Sequence, residues 1–258
     1  MPTLRGSSPF IPAKPTYARW EGFYVGGQAA HSSATMDFSG ATQQLITYLL
    51  RTTALENQQH PSEWGVLGKT NPSGQSYGAF VGYNSQWSDV IVGLDIHYNR
   101  SSFFSFAPVS PITRAVSAGG NSYIVTVDGD ASMRIIDYGA ARVRAGWIAG
   151  SHFLPYGTLG VAVGRADISR TARVSGVENP PGGYPTTPCT APCVPFNYST
   201  SEVKDATFIY GWSAGFGVDV VVMPNFFVRA EFEYMSFAEV EGIKAQLATG
   251  RIGAGFKF

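Results

Sequence analysis

Charge is scarce in this chain of 258 residues. The 18 basic and 18 acidic residues make up 14% of the sequence and leave a formal net charge of zero, whereas soluble domains carry about 25% charged residues. This balance excludes a strong electrostatic field for nucleic acid or acidic ligands. Too few charges are present to coat a soluble surface comfortably, and much of the remaining sequence consists of aromatic residues and 30 glycines.

Long apolar runs are missing as well. No segment approaches the roughly 20 consecutive apolar residues that a membrane-spanning helix needs, so the sequence excludes a helical membrane protein. A signal peptide is not visible either, because residues 1–16 hold one apolar pair, Phe10 and Ile11, among four prolines. We interpret the chain as a mature form from which an export signal has been removed.

Cysteine occurs only twice, as Cys189 and Cys193 in a Pro/Gly-rich stretch, 179–195. This stretch contains no histidine, and a metal site would need more ligands nearby. An even number of cysteines in an exported chain favours a disulfide that closes a short surface loop. We predict a Cys189–Cys193 disulfide, with a redox or metal role as the alternative, and we predict no metal site and no cofactor.

The sequence is rich in segments of about ten residues that alternate between two kinds of side chain, which is the period of a β-strand with two different faces. Residues 227–234 are the clearest example. One face is apolar and the other is charged: Val228, Ala230, Phe232 and Tyr234 against Arg229, Glu231 and Glu233. A helical period would mix these two sets.

Eight such segments can be placed, at residues 20–34, 75–87, 90–104, 122–148, 153–174, 206–222, 227–237 and 244–258. The connections alternate between tight turns, such as 88–89, and long loops, at 35–74 and 175–205. This alternation is typical of outer-membrane barrels. The sequence therefore predicts an all-β fold: a transmembrane antiparallel up-and-down β-barrel of eight strands, with short periplasmic turns, long extracellular loops and both termini in the periplasm.

Two further features complete the predicted domain layout. Residues 1–19 form a Pro-rich periplasmic segment, and 20–258 form the barrel. In the first long loop, residues 41–56 predict a short amphipathic helix with Leu45, Tyr48, Leu49 and Leu55 on its apolar face. This helix is expected to pack over the barrel mouth; the alternative is that it binds a partner or the lipid surface. Aromatic residues near the strand ends predict two membrane-interface belts. The belts are Trp20, Trp87, Trp147, Phe153, Phe226 and Phe227 on the turn side, and Tyr98, Phe103, Phe104, Phe208, Tyr210, Tyr234 and Phe237 on the loop side.

Strand parity directs a set of charged and polar side chains into the lumen: Asp95, His97, Arg142, Arg144, Asp219, Arg229, Glu231, Glu233 and Arg251. The interior of an eight-stranded barrel is just wide enough for side chains to fill. Arginine and carboxylate pairs are therefore expected to plug it. The alternative is a conducting pore, which would gain support from ten or more strands, for example if 122–148 contains two strands.

Catalysis has little support in the sequence. His97 and Asp95 are the only inward pair of the type that a hydrolase needs, and they lack a nucleophile signature. We predict no catalytic residues and no enzymatic activity.

The segments Leu4-Arg-Gly-Ser7, Trp20-Glu-Gly-Phe-Tyr-Val-Gly-Gly-Gln28 and Gly253-Ala-Gly-Phe-Lys-Phe258 resemble a known family. They are similar to the small outer-membrane β-barrel proteins of alphaproteobacteria, the porin-like outer-membrane immunogenic proteins. The resemblance implies eight strands, exposed loops and a last strand that serves as the signal for the outer-membrane assembly machinery. The outward face of that strand consists of Ile252, Ala254, Phe256 and Phe258. For some relatives it also implies attachment of the N-terminus to peptidoglycan.

Together these patterns predict a structural, interacting barrel of the bacterial outer membrane that supports envelope integrity and presents loops. The alternatives are a narrow porin-like diffusion channel and a surface protein that binds haem or another ligand. The expected partners are membrane lipid and lipopolysaccharide, the assembly machinery, peptidoglycan through the N-terminal segment, and further copies in a homo-oligomer or lattice. No nucleic-acid partner is expected.

Overall fold

The computed structural model describes residues 19–150, 152–179 and 193–258. Within these ranges the chain forms ten β-strands, two α-helices and one 3-10 turn. The strands are β1 Gly22–Asp37, β2 Lys69–Thr70, β3 Ser73–Trp87, β4 Val90–Phe106, β5 Ile112–Ala118, β6 Asn121–Trp147, β7 Phe153–Asn179, β8 Val194–Met223, β9 Phe226–Phe237 and β10 Lys244–Lys257. The helices are α1 Gln43–Leu50 and α2 Ala54–Gln59, followed by the 3-10 turn Pro61–Glu63.

Eight of the strands form a closed antiparallel ring in the order β1-β3-β4-β6-β7-β8-β9-β10. The ring closes where β1 pairs with β10, from Tyr24 opposite Lys257 to Asp37 opposite Lys244. The short strand β2 adds to the end of β1, and β5 pairs with β6 outside the ring. The predicted eight-stranded up-and-down barrel is therefore confirmed, and β6 is one continuous strand rather than two.

The strands differ greatly in length, because three of them continue beyond the others at the end of the barrel that carries the long loops. β6 and β7 have 27 residues each and β8 has 30, whereas β9 has 12. The predicted loop at 175–205 is therefore wrong at both ends, since Ser175 pairs with Asn197 within a continuous ladder. This part of the ladder lacks the continuous row of outward apolar residues by which a lipid-facing strand is identified in a sequence.

Helices α1 and α2 divide the segment in which one helix was predicted. Ile46 and Leu50 are buried, but Tyr48, which was expected on the apolar face, is 60% exposed. Helix α1 is therefore turned about its axis, so that Ile46 and Leu50 rather than Tyr48 lie on its buried face. It packs across β7 and β8. None of the helices in the described ranges is long and apolar enough to cross a bilayer.

Seven of the thirteen aromatic residues that were predicted to form the belts are exposed on the outer surface. Trp87, Trp147 and Phe153 are exposed near the short turns, and Tyr98, Phe104, Phe208 and Tyr210 are exposed toward the long-loop end. Four others are buried in the interior, so their assignment to the belts is wrong: Trp20, Phe103, Phe227 and Phe237. Adjacent strand residues point to opposite faces, so neighbours such as Phe226 and Phe227 cannot both face lipid.

The interior changes character along the barrel axis. At the short-turn end, Trp20, Tyr24, Phe80 and Phe227 belong to a small apolar cluster. At the long-loop end, a larger apolar cluster fills the space beneath α1 and includes Met36, Ile46, Leu50, Met133 and Ile135. Buried charges occupy the interior between the two clusters.

Within the described ranges, three of the four irregularities in strand pairing occur at one level, on three neighbouring strand pairs, and the fourth lies between Val221 and Met223 at the short-turn end. The register shifts between Arg100 and Phe103, between Ile135 and Asp137, and between Ala166 and Ile168. On β6 the extra residue reverses the parity, so that Tyr138 and Ile135 both point inward. These bulges lie where the polar interior gives way to the apolar one.

Candidate functional site in the barrel lumen

The nine side chains that strand parity directed into the lumen lie together in the structure. Two are on β4, two on β6, one on β8, three on β9 and one on β10. Each of these residues is at most 5% exposed. Successive inward positions on neighbouring strands bring them to the same depth, since Asp95 is opposite Arg142 and Glu231 is opposite Arg251.

Arg142 is the centre of one half of this lumen network. Its Nη1 donates to Glu231 Oε1 at 2.5 Å and to Glu233 Oε1 at 3.0 Å. Its Nη2 donates to Asp95 Oδ1. Arg251 donates to Glu233 Oε2 from the neighbouring strand β10. One guanidinium group thus joins carboxylates from two strands on opposite sides of the ring.

Arg229 and Asp219 form the other half of the network. Arg229 Nε donates to Asp219 Oδ1 at 2.9 Å, and its Nη1 donates to Asp95 Oδ2 at 2.9 Å. Arg144 Nη2 donates to Asp219 Oδ2 at 2.8 Å. Arg229 also stacks over the ring of Phe80 at 4.2 Å, which connects the charges to the apolar cluster at the short-turn end. Asp95 links the two halves, because it accepts from both Arg142 and Arg229.

The lumen network is electrically balanced, with four arginines facing four carboxylates. Burying an isolated charge costs many kcal/mol, and an opposite charge with good hydrogen-bond geometry offsets that cost. Because every carboxylate of the network accepts from at least one arginine, the set can remain ionised inside a closed barrel. The arrangement fills space and holds opposite walls of the barrel together.

His97 lies at the edge of the network. Its Nε2 is 3.5 Å from Glu233 Oε2, and within the described ranges neither ring nitrogen makes a hydrogen bond. Asp95 uses its oxygens for Arg142, Arg229 and Tyr24. The two residues considered as a catalytic pair therefore do not bond to each other.

Two tyrosines belong to the network and were missed by the sequence analysis. Tyr24 donates to Asp95 Oδ2 at 2.8 Å, and Tyr156 donates to Glu231 Oε2 at 2.8 Å. Space for each ring comes from a glycine: a Cβ on Gly82 would lie 2.2 Å from the Tyr24 hydroxyl, and one on Gly217 would lie 2.7 Å from that of Tyr156. The same parity that selected the charges would have selected both tyrosines.

A layer of uncharged polar groups lies next to the network on its long-loop side. Gln28 Nε2 donates to Asn99 Oδ1 at 2.8 Å, and the hydroxyls of Ser32 and Thr249 are 2.8 Å apart. The hydroxyls of Ser76 and Tyr138 are also 2.8 Å apart. The buried ring of Phe103 packs against Tyr138 and begins the apolar cluster.

At the long-loop end, Arg170 on β7 links the residues before α1, the loop between β9 and β10, and strand β8. Its guanidinium donates to the backbone oxygens of Ala41 at 3.2 Å and Glu241 at 2.9 Å, and also to the carboxylates of Glu202 and Glu241. The hydrogen bond from Arg170 is the largest cause that holds the pKa of Glu202 below its ordinary value, with partial burial opposing it and Lys204 assisting it. These contacts attach the residues that precede α1 to β7 and β8.

The remaining predicted site residues have different positions. Ile252, Phe256 and Phe258 point outward and are exposed on or next to β10, with Ala254 half-buried between them. Cys189 lies outside the described residues, as does the N-terminal segment up to residue 18, so the disulfide and the role of that segment stay predictions. Within the described ranges, no group of three or more His, Cys, Asp or Glu side chains is arranged to hold a metal ion.

Residues 9–258 match the family described as "Outer membrane protein beta-barrel domain". Among solved structures, the chain is similar to Ail, the attachment invasion locus protein of Yersinia pestis, at 16% identity over 93% of this chain and 100% of that chain, with a TM-score of 0.37. It is also similar to Neisserial surface protein A, at 16% identity over 92% and 97% with a TM-score of 0.41. For OprG from Pseudomonas aeruginosa the values are 11%, 95% and 99%, and 0.38. No curated protein sequence matches the chain.

Proposed function

The chain belongs to the outer-membrane protein β-barrel family, and from that premise we propose that it is a non-conducting barrel that supports the envelope and displays its long-loop end outside the cell. Membership of the family locates it in the bacterial outer membrane. The envelope role is non-enzymatic: the barrel wall spans the lipid and the long-loop end offers surface for contacts.

The observation that carries this proposal is the lumen network, in which four arginines and four carboxylates fill the centre of the barrel. An apolar cluster lies on either side of it along the axis. A solute would have to separate buried ion pairs to pass. Leaving one charge of such a pair without its partner costs several kcal/mol of free energy. A narrow porin-like channel would need a hydrated path through these layers.

The proposed orientation rests on the two ends of the ring. Tight turns join β3 to β4, β6 to β7 and β8 to β9 at the same end as Gly22 and Lys257. Outer-membrane barrels have short turns on the periplasmic side and longer loops outside. We therefore assign both termini to the periplasm and the helices to the outer surface.

Planar-bilayer recording of the refolded protein tests the proposal. Insertion is first verified by the mobility difference between boiled and unboiled samples on a gel. We expect no reproducible conductance steps from inserted protein. Stable steps of constant size would overturn the plugged barrel and favour the narrow diffusion channel. Haem binding is tested separately, by titrating haem into the refolded protein, and would appear as a shift of the Soret absorption band. The conductance assay does not report on haem binding.

The proposed partners follow from particular surfaces. The exposed face of β10, with Ile252, Phe256 and Phe258, supports recognition by the assembly machinery. The outward aromatic and aliphatic side chains support contact with membrane lipid and lipopolysaccharide. Attachment to peptidoglycan through the N-terminal segment, residues 1–19, is proposed from the family resemblance alone. Assembly of copies into a homo-oligomer or lattice is proposed as a further interaction.

A further inference from the structure

A small cavity lies at the far tip of the long-loop end, between the helical segment and the extended parts of β6, β7 and β8. Its volume is about 180 Å³. Leu50 and Leu55 form the wall on the helical side. The opposite wall carries three aromatic rings and a carboxylate, which belong to Tyr123, Phe196, Tyr198 and Glu178. We call this cavity the tip pocket.

Strand register brings the aromatic rings and the carboxylate to one face of the sheet. Tyr123 on β6 is opposite Glu178 on β7. On β8, Tyr198 is opposite Val174, which is fully buried on the inner face. Phe196, two residues before Tyr198, shares that face, and so does Glu178, four residues after Val174. The sheet thus presents these groups together, beside the end of α1.

The rings of the pocket form a corner. The centroids of the Phe196 and Tyr198 rings are 5.7 Å apart, and their planes are inclined by 26°. The ring of Tyr123 lies 6.4 Å from that of Phe196 and is inclined to it by 70°. Tyr198 is 44% exposed, so the corner is open to solvent. The face of an aromatic ring is electron-rich and attracts a cation.

Glu178 supplies the charge of the pocket. Among the described residues that line it, Glu178 alone is charged. Its Oε1 accepts hydrogen bonds from Asn121 and from the Tyr123 hydroxyl, the latter at 3.0 Å. These two neutral donors hold the carboxylate in place beside the rings without neutralising it. The segment 179–193, which follows Glu178 in the chain, contains no lysine, arginine or histidine.

The arginines on the elements around the pocket have other partners. Arg51, next to the end of α1, lies 4.1 Å from the centre of the Tyr48 ring. Arg114 on β5 lies 4.5 Å from the centre of the Trp64 ring. Arg173 on β7 points to the outer face of the sheet and pairs there with two aspartates. This end of the molecule already holds two cations on aromatic rings, whereas the tip pocket offers rings and a carboxylate to a cation from outside the chain.

We propose that the tip pocket binds a quaternary ammonium group. Aromatic faces and a carboxylate together attract such a cation. A quaternary ammonium has no N–H to donate, so its methyl groups can lie against Leu50 and Leu55. A lysine ammonium or a sugar would leave donors unpaired at that apolar wall. The cavity, of about 180 Å³, is smaller than the roughly 300–1,000 Å³ of a pocket for a drug-sized ligand, so it suits a head group.

The position of the pocket indicates where its ligand would come from. Glu178 is ten residues beyond Ile168, which lies at the bulge of β7. At roughly 3.4 Å per residue and a tilt of about 40°, this is about 26 Å along the axis, well beyond the membrane wall. The ligand is therefore a choline-type solute or a phosphocholine group presented from outside. This choice of source rests on the proposed orientation, whereas binding itself does not.

An NMR titration of the full chain tests the pocket. The protein is refolded in a maltoside detergent, which has no choline group, and choline chloride is the probe, with sodium chloride at equal concentration as the reference. We expect saturable shifts of the amide signals of residues 194–198. The alcohol 3,3-dimethylbutan-1-ol has the shape of choline without its charge and should bind roughly tenfold more weakly. Equal affinity for both probes would overturn recognition of a cation, and the absence of saturable shifts would overturn the pocket.

Variants assign the binding to particular residues. Glu178→Gln removes the charge but keeps an oxygen that accepts from Asn121 and Tyr123, so choline affinity should fall roughly tenfold while the heat-dependent gel shift persists. Phe196→Leu removes one ring and should weaken binding roughly fivefold. Glu63→Gln is the matched control, because it removes the same charge at an exposed position of the 3-10 turn, and it should bind as wild type does. An equal loss in Glu63→Gln and Glu178→Gln would overturn the site.

Glycerophosphocholine separates the two sources. Tighter binding of this compound than of choline would support the pocket and assign it to phosphocholine groups, and the reverse order would support the pocket and assign it to free choline-type solutes. The outcome is also separable from that of the proposed function. A conducting protein that binds choline through Glu178 would overturn the plugged barrel and support the tip pocket. A non-conducting protein without saturable shifts would do the reverse.

Discussion

The two halves of this barrel have opposite distributions of polar and apolar side chains. Within the membrane, the wall is apolar outside, and ion pairs such as Arg142–Glu231 and Arg229–Asp219 fill the interior. Beyond the bulges, the interior is apolar, with Ile46 and Met133 among its buried residues, and polar side chains face outward. The same strands β6 and β7 run through both halves. The surrounding medium, lipid or water, therefore decides which face of a strand is apolar.

The largest effect is expected from breaking the lumen network. Arg142→Ala or Glu231→Ala leaves buried charges without a partner and should lower the free energy of unfolding by about 3–5 kcal/mol. Urea titration in detergent, followed by the heat-dependent gel shift, measures this, and membrane insertion should persist. Arg134→Ala is the control, since its exposed ion pair with Asp167, at 2.6 Å, is worth about 1 kcal/mol or less. Equal stability of all three variants would show that the network does not hold the barrel together.

The second effect tests the apolar half. Ile46→Asp buries a carboxylate among apolar side chains and should destabilise the helical segment by about 2–4 kcal/mol, while the ring below stays intact. Limited proteolysis should cleave the helical segment faster, with an unchanged gel shift. Tyr48→Asp, on the exposed side of α1, should be cleaved at the wild-type rate. Loss of the gel shift in Ile46→Asp would instead mean that the two halves unfold as one.

A smaller effect concerns the start of α2. The Thr53 hydroxyl accepts a hydrogen bond from the Glu56 backbone N–H at 3.3 Å, so Thr53→Ala should cost about 1 kcal/mol of local stability. Amide hydrogen exchange over α2 should then be faster, with β3 and β9 unchanged. Thr53→Ser keeps the cap and should exchange as wild type does.

The smallest effect is a pH dependence confined to the long-loop end. Because the pKa of Glu202 is lowered in the folded protein, its contribution is present above the unfolded pKa, near 4.5, and is lost as the pH falls through the folded value. Hydrogen exchange around Ala41 and α1 should increase below about pH 4.5. Glu202→Gln should abolish this pH dependence, and retention of it would assign the effect to other groups.

Strand number and the inward residues could be predicted because alternation identifies faces directly. The predicted segment 90–104 and the observed Val90–Phe106 differ only at one end. The nine inward residues share one parity on each strand within the membrane, so counting by twos was sufficient.

The long-loop half could not be predicted in the same way. A bulge adds one residue and reverses the parity, as on β6 between Ile135 and Asp137, and local sequence does not mark it. Alternation shows that a strand has two different faces, but it does not show whether lipid or water surrounds the strand. The part of β8 from Val194 to Asp205 has no continuous apolar outer face, so it was assigned to a loop. Phe103 shows the remaining difficulty, since nearness to the rim suggested a belt residue although its face is internal.

Ring closure has a consequence for how the protein is made. β1 and β10 form fourteen paired positions although they lie at opposite ends of the folded sequence. Contacts of such separation are slow to form, because nearly the whole chain must be ordered before they are gained. Until then both strands present unpaired backbone edges, which invite aggregation. We therefore expect the chain to be most prone to aggregation during the interval before its first and last strands meet, and least prone once the ring has closed.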